Sequence, residues 1–341
     1  MPAKADDPAP PLGVSPMTDV IALRPQADFA RVDALPPANL SVSYHAPDNA
    51  ELPALLRKAR ALVIPAVGPK LPAALFDGTA LKLVQVTGAG LDRLDRAALT
   101  KAGIPVANVP GGSNSAVAEY AVTTASALLR RFSWADAEIK RGNYATYRAR
   151  LMADNVAGID GLLVGVVGLG VIGIAVAQAF AKLGCRICFY DPAPADPKAA
   201  QAMGAQAMAL DELLRVADVV TLHVPLLPAT QGLIGASQLA SMKKGAVLVQ
   251  ASRGGIVDEQ ALADSLRAGH LGGAAVDVYS TEPPAADNAL LKVDGEAAQR
   301  LLLTPHIAGV TRQSAAFLFR SAWQNVERVL VQGAAPQHRA Y

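Results

Sequence analysis

Four side chains in the last third of the chain could do chemistry together. They are Arg253 in Ala251-Ser252-Arg253-Gly254-Gly255, Asp277 at the end of Gly272-Gly273-Ala274-Ala275-Val276-Asp277, Glu282 in Thr281-Glu282-Pro283, and His306 in Thr304-Pro305-His306. A guanidinium stays charged and can fork onto a carboxylate, so Arg253 suits an anionic substrate. Taken alone, Arg253 reads equally well as a surface arginine. Histidine is the side chain suited to hand over a proton near neutral pH. A carboxylate hydrogen-bonded to an imidazole favours the protonated ring and fixes its orientation. The sequence leaves open whether Glu282 reaches His306. If it does, the set suits hydride addition to a carbonyl, because that step leaves an alkoxide in need of a proton. The neighbouring Asp258-Glu259 reads as a helix N-cap followed by a first-turn charge. His45, His270 and His338 read as structural.

The hydride would have to come from a cofactor, and a second motif supplies a place for one. Gly168-Leu169-Gly170-Val171-Ile172-Gly173 follows an apolar run and opens a helical pattern. A tight turn needs glycine first; the second glycine lets backbone approach a pyrophosphate, and the third packs helix on strand. Unpaired N–H groups and the positive dipole end then face the phosphates. The next strand ends at Asp191, 18 residues beyond Gly173, where a carboxylate meets the adenosine ribose hydroxyls. Pro192-Ala193 brings no cation for a 2′-phosphate. NAD(H) is therefore expected in preference to NADP(H).

Strands and helices must alternate to position these residues. Runs at 18–23, 40–44, 61–65, 82–86 and 105–108 read as strands, with helical or connecting segments at 55–60 and 96–102. A long helix is expected over about 116–142. Strand candidates then recur at 162–168, 186–190, 218–222, 246–250 and 272–276, with helices at 171–183 and 312–332. Continuous apolar strands separated by helices imply parallel sheets covered on both faces. The chain shows no fixed-period repeat.

The 341 residues suit two domains, with 52% hydrophobic and 18% charged residues and a net charge of +2. That balance excludes a disordered chain, and no basic stripe with interleaved aromatics points to nucleic acid. Residues 161–181 carry no charge and are long enough to cross a bilayer. Five glycines spoil them as one helix, and the strand–turn–helix reading accounts for those glycines, so no membrane association is expected. Residues 1–17 read as a flexible tail without the apolar core of a signal peptide. Cys185 and Cys188 fall inside a strand and read as buried core, consistent with a reducing cytoplasm.

The chain resembles the D-isomer-specific 2-hydroxyacid dehydrogenase family over residues 18–332. The resemblance rests on TGAGLDRLD at 87–95, GIPVANVPGGSNSAVAEY at 103–120 and GLGVIG at 168–173 with Asp191. It continues in HVPLLPATQGLI at 223–234, MKKGAVLVQASRGGIVDEQAL at 242–262, AAVDVYSTEP at 274–283 and TPHIAG at 304–309. The resemblance implies a Rossmann-type doubly wound NAD-binding domain, 118–308, inserted into a flavodoxin-like α/β substrate domain, 18–117 with 309–341. It implies that Arg253 binds and polarises the substrate, that His306 is the proton donor, and that Glu282 is its partner. Cofactor contacts are expected from Gly168, Gly170, Val171, Ile172, Gly173, Asp191, His223, Val224, Pro225, Thr230, Ala251, Ser252, Arg253, Asp277, His306 and Gly309. Substrate contacts are expected from Ala89, Gly90, Arg253 and His306, with no metal. The long helix near 120–141 is expected to contribute to a homodimer.

Several residues depart from the family pattern. Tyr120 stands where a histidine is common, Gln250 where asparagine is frequent, and Ser113-Asn114 shifts an asparagine by one place. Val86 occupies a position where phosphoglycerate-oxidising relatives carry arginine, which argues against a phosphorylated substrate. Glu282, rather than glutamine, argues against formate. Two other functions fit the scaffold: an NAD-binding, corepressor-like regulator, and a dehydrogenase of another small anion such as phosphite.

Overall fold

The computed structural model describes residues 18–341, so the expected tail at 1–17 lies outside the described residues. The chain divides into two compact units, one of residues up to Gly112 with Ala315–Tyr341, the other Ser113–Ser314.

The first unit holds β1 (Val20–Ala22), β2 (Val42–Tyr44), β3 (Ala61–Ile64), β4 (Leu83–Val86) and β5 (Val106–Ala107) in the order β2-β1-β3-β4-β5. Every pairing is parallel, and the order is that of a flavodoxin-like sheet. Alternate residues along each strand face opposite sides. Ile21, Leu62, Ile64, Val84 and Val86 join one apolar cluster. Val20, Ala22, Ala61, Val63 and Leu83 join the other, which the C-terminal helix Arg312–Leu330 covers with Phe319, Trp323, Val326 and Leu330.

The second unit holds β6 (Leu163–Val167), β7 (Arg186–Tyr190), β8 (Gln206–Ala207), β9 (Val219–Leu222), β10 (Val247–Gln250), β11 (Gly273–Val276) and β12 (Leu301–Leu303). Its parallel order, β12-β11-β10-β9-β6-β7-β8, reverses direction between β6 and β9. That is the doubly wound Rossmann arrangement, whose ligands bind beyond the carboxyl ends of the strands at the reversal. Both faces are covered: Val247 and Val249 point into one cluster and Leu248 into the other. The buried Cys188 is core, as its place in a strand predicts.

The expected helix over 116–142 is interrupted. A helix Asn114–Leu129 ends, Arg131 takes a left-handed conformation at φ +53°, and separate helices follow at Phe132–Lys140 and Tyr144–Ala153. The break lets Trp134 and Tyr147 pack together with ring centroids 5.5 Å apart, both nearly buried. Arg131 ion-pairs with Asp154 and lies over the Trp134 ring. All of Asn114–Leu129 lies in the second unit, with Val117 in its core, so the unit begins upstream of the expected residue 118. No described helix is long and apolar enough to cross a membrane, and residues 161–181 form β6, a turn and the start of a helix.

Candidate active site

The glycine turn follows β6 at the reversal point. Gly168 sits at φ +92°, and a Cβ there would lie 2.7 Å from the carbonyl oxygen of His223. A Cβ on Gly173 would lie 2.0 Å from the Gly168 carbonyl oxygen, so the helix Val171–Lys182 can lie this close to the turn only with glycine there. Gly170 differs: its Cβ would meet nothing within 4 Å. As the N-cap it brings no side chain to the first-turn amides, and Val171 beside it is 53% exposed. An open glycine and uncapped amides fit a pyrophosphate. Ile172 is half-buried behind them.

Asp191 ends the next strand. One carboxylate oxygen accepts the Leu169 amide at 2.6 Å and the other the Ala193 amide at 2.7 Å. Its charge therefore braces the glycine turn. After β9, the His223 ring bonds the Thr221 hydroxyl through Nε2 at 2.8 Å, and burial pushes its pKa down to about 3. His223 is thus a neutral ring at physiological pH, and its backbone carbonyl, not its ring, meets the glycine turn. Val224 is half-buried and Pro225 exposed. The Thr230 hydroxyl donates to the Pro225 carbonyl at 2.5 Å and accepts from the Leu227 amide at 2.8 Å, which closes the loop after His223.

Arg253 follows β10, after the half-buried Ala251 and the buried Ser252. The buried Gln250 side chain shapes this turn: Nε2 donates to the Arg253 carbonyl at 2.9 Å, and Oε1 accepts the Ser252 hydroxyl at 2.7 Å. The half-buried Arg253 directs Nη1 at the Ser252 carbonyl, 2.7 Å away. Gly254 is pressed against the next segment, where a Cβ would lie 1.8 Å from the Tyr279 carbonyl oxygen.

The structure brings Glu282 and His306 together across 24 residues. His306 Nδ1 lies 2.9 Å and 3.1 Å from the two carboxylate oxygens of Glu282. Their side chains are 26% and 30% exposed, which leaves the pair open to a ligand. A carboxylate can only accept, so Nδ1 carries a proton and Nε2 is left for other chemistry. His306 is held at φ +55°, a conformation that costs a non-glycine residue roughly 1–3 kcal/mol.

Asp277 holds that conformation. Its carbonyl accepts the His306 amide at 2.8 Å, and its carboxylate accepts the amides of Ile307 and Ala308, each at 2.8 Å. The Thr304 hydroxyl adds a bond at 2.5 Å. Asp277 is 1% exposed, with its carboxylate turned to the His306 loop. Gly309 continues the loop, its Cβ position 3.1 Å from the Ser113 Cβ. Ala89 and Gly90 lie in the other unit beyond β4, the first exposed and the second half-buried. The Ala89 carbonyl accepts from Asn108 Nδ2 at 2.7 Å, and Val86 is buried at the end of β4.

Two structural supports were not evident from the sequence. Glu259 accepts the amide and hydroxyl of Ser280 at 2.6 and 2.8 Å and Asn288 Nδ2 at 2.5 Å, which pins the segment carrying Glu282. Asp258 caps its helix as expected, through the Ala261 amide at 3.0 Å. Thr304 is the other support, and only its place in the Thr-Pro-His run hinted at it. Among the described residues no cluster of His, Cys, Asp and Glu could hold a metal ion.

Comparison with known proteins gives this geometry its context. The model of the D-isomer specific 2-hydroxyacid dehydrogenase NAD-binding domain matches residues 122–308. A D-3-phosphoglycerate dehydrogenase of Archaeoglobus fulgidus is 40% identical over 234 residues, covering 69% of this chain and 42% of that protein. The chain thus spans less than half the length of that relative. An (S)-sulfolactate dehydrogenase of Chromohalobacter salexigens is 40% identical over 250 residues, 73% of this chain and 76% of that protein. A solved structure from Thermus thermophilus superposes with a TM-score of 0.80 at 30% identity, covering 95% of this chain and all of that one. With the glycine turn, the Glu282–His306 pair and these matches in agreement, the chain belongs to the D-isomer specific 2-hydroxyacid dehydrogenase family.

Proposed function

We propose that the protein is an NAD-dependent oxidoreductase that interconverts a small 2-oxo acid and its D-2-hydroxy acid. The observation that carries this reading is the Glu282–His306 pair, held beyond β11 in the same unit as the open glycine turn at β6. Bound NADH supplies the hydride. Arg253 binds the substrate carboxylate and polarises the carbonyl; Ala89 and Gly90 are the substrate contacts assigned to the first unit. His306 protonates the carbonyl oxygen from Nε2, while Glu282 on Nδ1 keeps the ring in the tautomer and orientation this requires. In the oxidative direction the same nitrogen takes the proton back.

NAD(H) is preferred because Asp191 and its neighbours offer a carboxylate and no cation where a 2′-phosphate would sit. The contacts assigned to Val171, Ile172, Thr230, Ala251, Ser252 and Gly309 belong to the same reading. The apolar Val86 disfavours a phosphorylated substrate, and Glu282 disfavours formate. We further propose a cytoplasmic homodimer formed through the helices after Asn114, where Phe132, Ile139, Tyr144 and Met152 are 49–69% exposed.

The test is NADH oxidation with glyoxylate, hydroxypyruvate, pyruvate and bulkier 2-oxo acids, with phosphite as the alternative anion. Turnover that collapses in His306→Ala supports the assignment; full turnover in that variant sinks it. Tight NADH binding without turnover of any of these would favour the corepressor-like alternative.

A further inference from the structure

We propose that Tyr120 is a positioning residue for His306, acting through Thr304 and Asp277. The inference rests on reading His306 as the proton donor.

Proton counting fixes the direction of the relay. Thr304 Oγ1 lies 2.5 Å from an Asp277 carboxylate oxygen and 2.8 Å from Tyr120 Oη. A carboxylate only accepts, so the single hydroxyl proton of Thr304 is committed to Asp277. The proton between Thr304 and Tyr120 therefore belongs to Tyr120. A hydroxyl that accepts one bond donates more strongly through its own, so the tyrosine tightens the grip of Thr304 on Asp277. Burial raises the Tyr120 hydroxyl to about 12, which keeps it a neutral donor at any working pH.

Asp277 converts this grip into the placement of His306. The amides of His306, Ile307 and Ala308, three in succession, all end on Asp277. They hold His306 at φ +55°, and so direct its ring towards Glu282. Thr304 itself is anchored by its amide on the Val276 carbonyl at 3.0 Å, and its own carbonyl accepts the Tyr279 hydroxyl at 3.0 Å. Tyr120 comes from the helix Asn114–Leu129 and Thr304 from the far end of the unit's sequence, so the relay ties that helix to the His306 loop. Tyr120 occupies one of the positions at which this chain departs from its family's usual residue.

The test uses Tyr120→Phe, Thr304→Val and the double variant in the full chain. One neutral hydrogen bond corresponds to roughly a threefold to tenfold effect. We expect kcat in Y120F to fall by about that factor with KM for NADH unchanged, and the double variant to be no slower than T304V. Hydrogen exchange at the Ile307 and Ala308 amides should quicken by a similar factor in Y120F, with the helix Val171–Lys182 unaltered. Unchanged exchange at those two amides overturns the proposal, as does unaltered kcat in Y120F despite faster exchange. Exchange that quickens throughout the chain also overturns it, by making Tyr120 merely structural. If the wild-type protein reduces no 2-oxo acid, the catalytic reading fails by itself, and the exchange measurement still decides whether Tyr120 holds the loop.

Discussion

Gly254→Ala should damage the protein, and the proposed activity with it, more than the addition of one methyl group suggests. The new Cβ would stand 1.8 Å from the Tyr279 carbonyl oxygen, 2.1 Å from its carbon and 2.7 Å from the Ser280 nitrogen. These are backbone atoms with no rotamer to yield, so the two segments must part by roughly 1 Å or more to restore van der Waals contact. One segment carries Arg253 and the other leads into Glu282. A misplacement of about 1 Å at reacting groups costs on the order of 100-fold in rate. Overpacking should also cost roughly 1–3 kcal/mol of stability. Gly170→Ala is the internal control, because its Cβ meets nothing within 4 Å and the fold should not notice it. On the proposed cofactor placement the methyl would occupy the approach of the pyrophosphate, so NADH affinity should fall while the melting temperature holds. The assay is steady-state NADH oxidation with NADH titration by fluorescence and thermal melts of both variants. A G254A protein with wild-type kcat/KM and melting temperature would refute the reasoning, and so would a G170A protein that melts early.

Three further outcomes follow from the site. Glu282→Gln keeps an acceptor for His306 Nδ1 but removes the charge from a partly exposed pair, so kcat should drop, by at most the roughly 10²–10⁴-fold that general acid–base catalysis contributes, with NADH affinity unaltered; loss of NADH binding instead would place Glu282 at the cofactor. Asp191→Ala removes the acceptor for the Leu169 and Ala193 amides and the charge that the proposed NAD(H) selectivity sets against a 2′-phosphate. The ratio of NADPH to NADH efficiency should therefore rise, and a constant ratio in steady-state kinetics would count against the assigned selectivity. His223 is half-buried, and desolvation pushes its pKa down to about 3 from 6.5. Between those values the unfolded chain binds the extra proton, so this contribution to stability is complete above pH 6.5 and is lost as pH falls towards 3. Urea unfolding across that range should show a shallower pH slope in His223→Gln, and an identical slope would remove His223 from the acid response.

The strands that hold the site were legible because each is a short apolar run closed by turn residues, and β6, β7, β9, β10 and β11 lie within the expected segments. β8 was not legible: two exposed residues, Gln206 and Ala207, at the sheet edge carry no pattern. The break at Arg131 was hidden for another reason. Leu129-Arg130-Arg131-Phe132 continues the helical periodicity, and the packing of Trp134 on Tyr147 that accompanies the break is a contact between segments that no short local window contains. Arg253, Glu282 and His306 stood out by residue type, yet the bond between Glu282 and His306 spans 24 residues and needed the fold. Glu259 shows the limit most sharply. Its place after an N-cap gave it a sufficient local reason to exist, and only the structure shows it bonded to Ser280 and Asn288.

That contrast bears on how the site is built. Arg253, Glu282 and His306 all sit on loops beyond strand ends, where the backbone has fewest partners of its own. Each loop is fixed by a polar side chain anchored outside it. Gln250 bonds the Arg253 carbonyl, Glu259 bonds the Ser280 amide, and the Asp277 carboxylate takes the Ile307 and Ala308 amides just after His306. Gln250 and Asp277 are buried and have no solvent to substitute for a lost partner, so cutting either bond leaves an unpaired group inside the protein. The geometry of the reacting side chains is therefore set by residues that need not touch substrate. Substitutions among those supports should lower kcat before they alter which acid is bound.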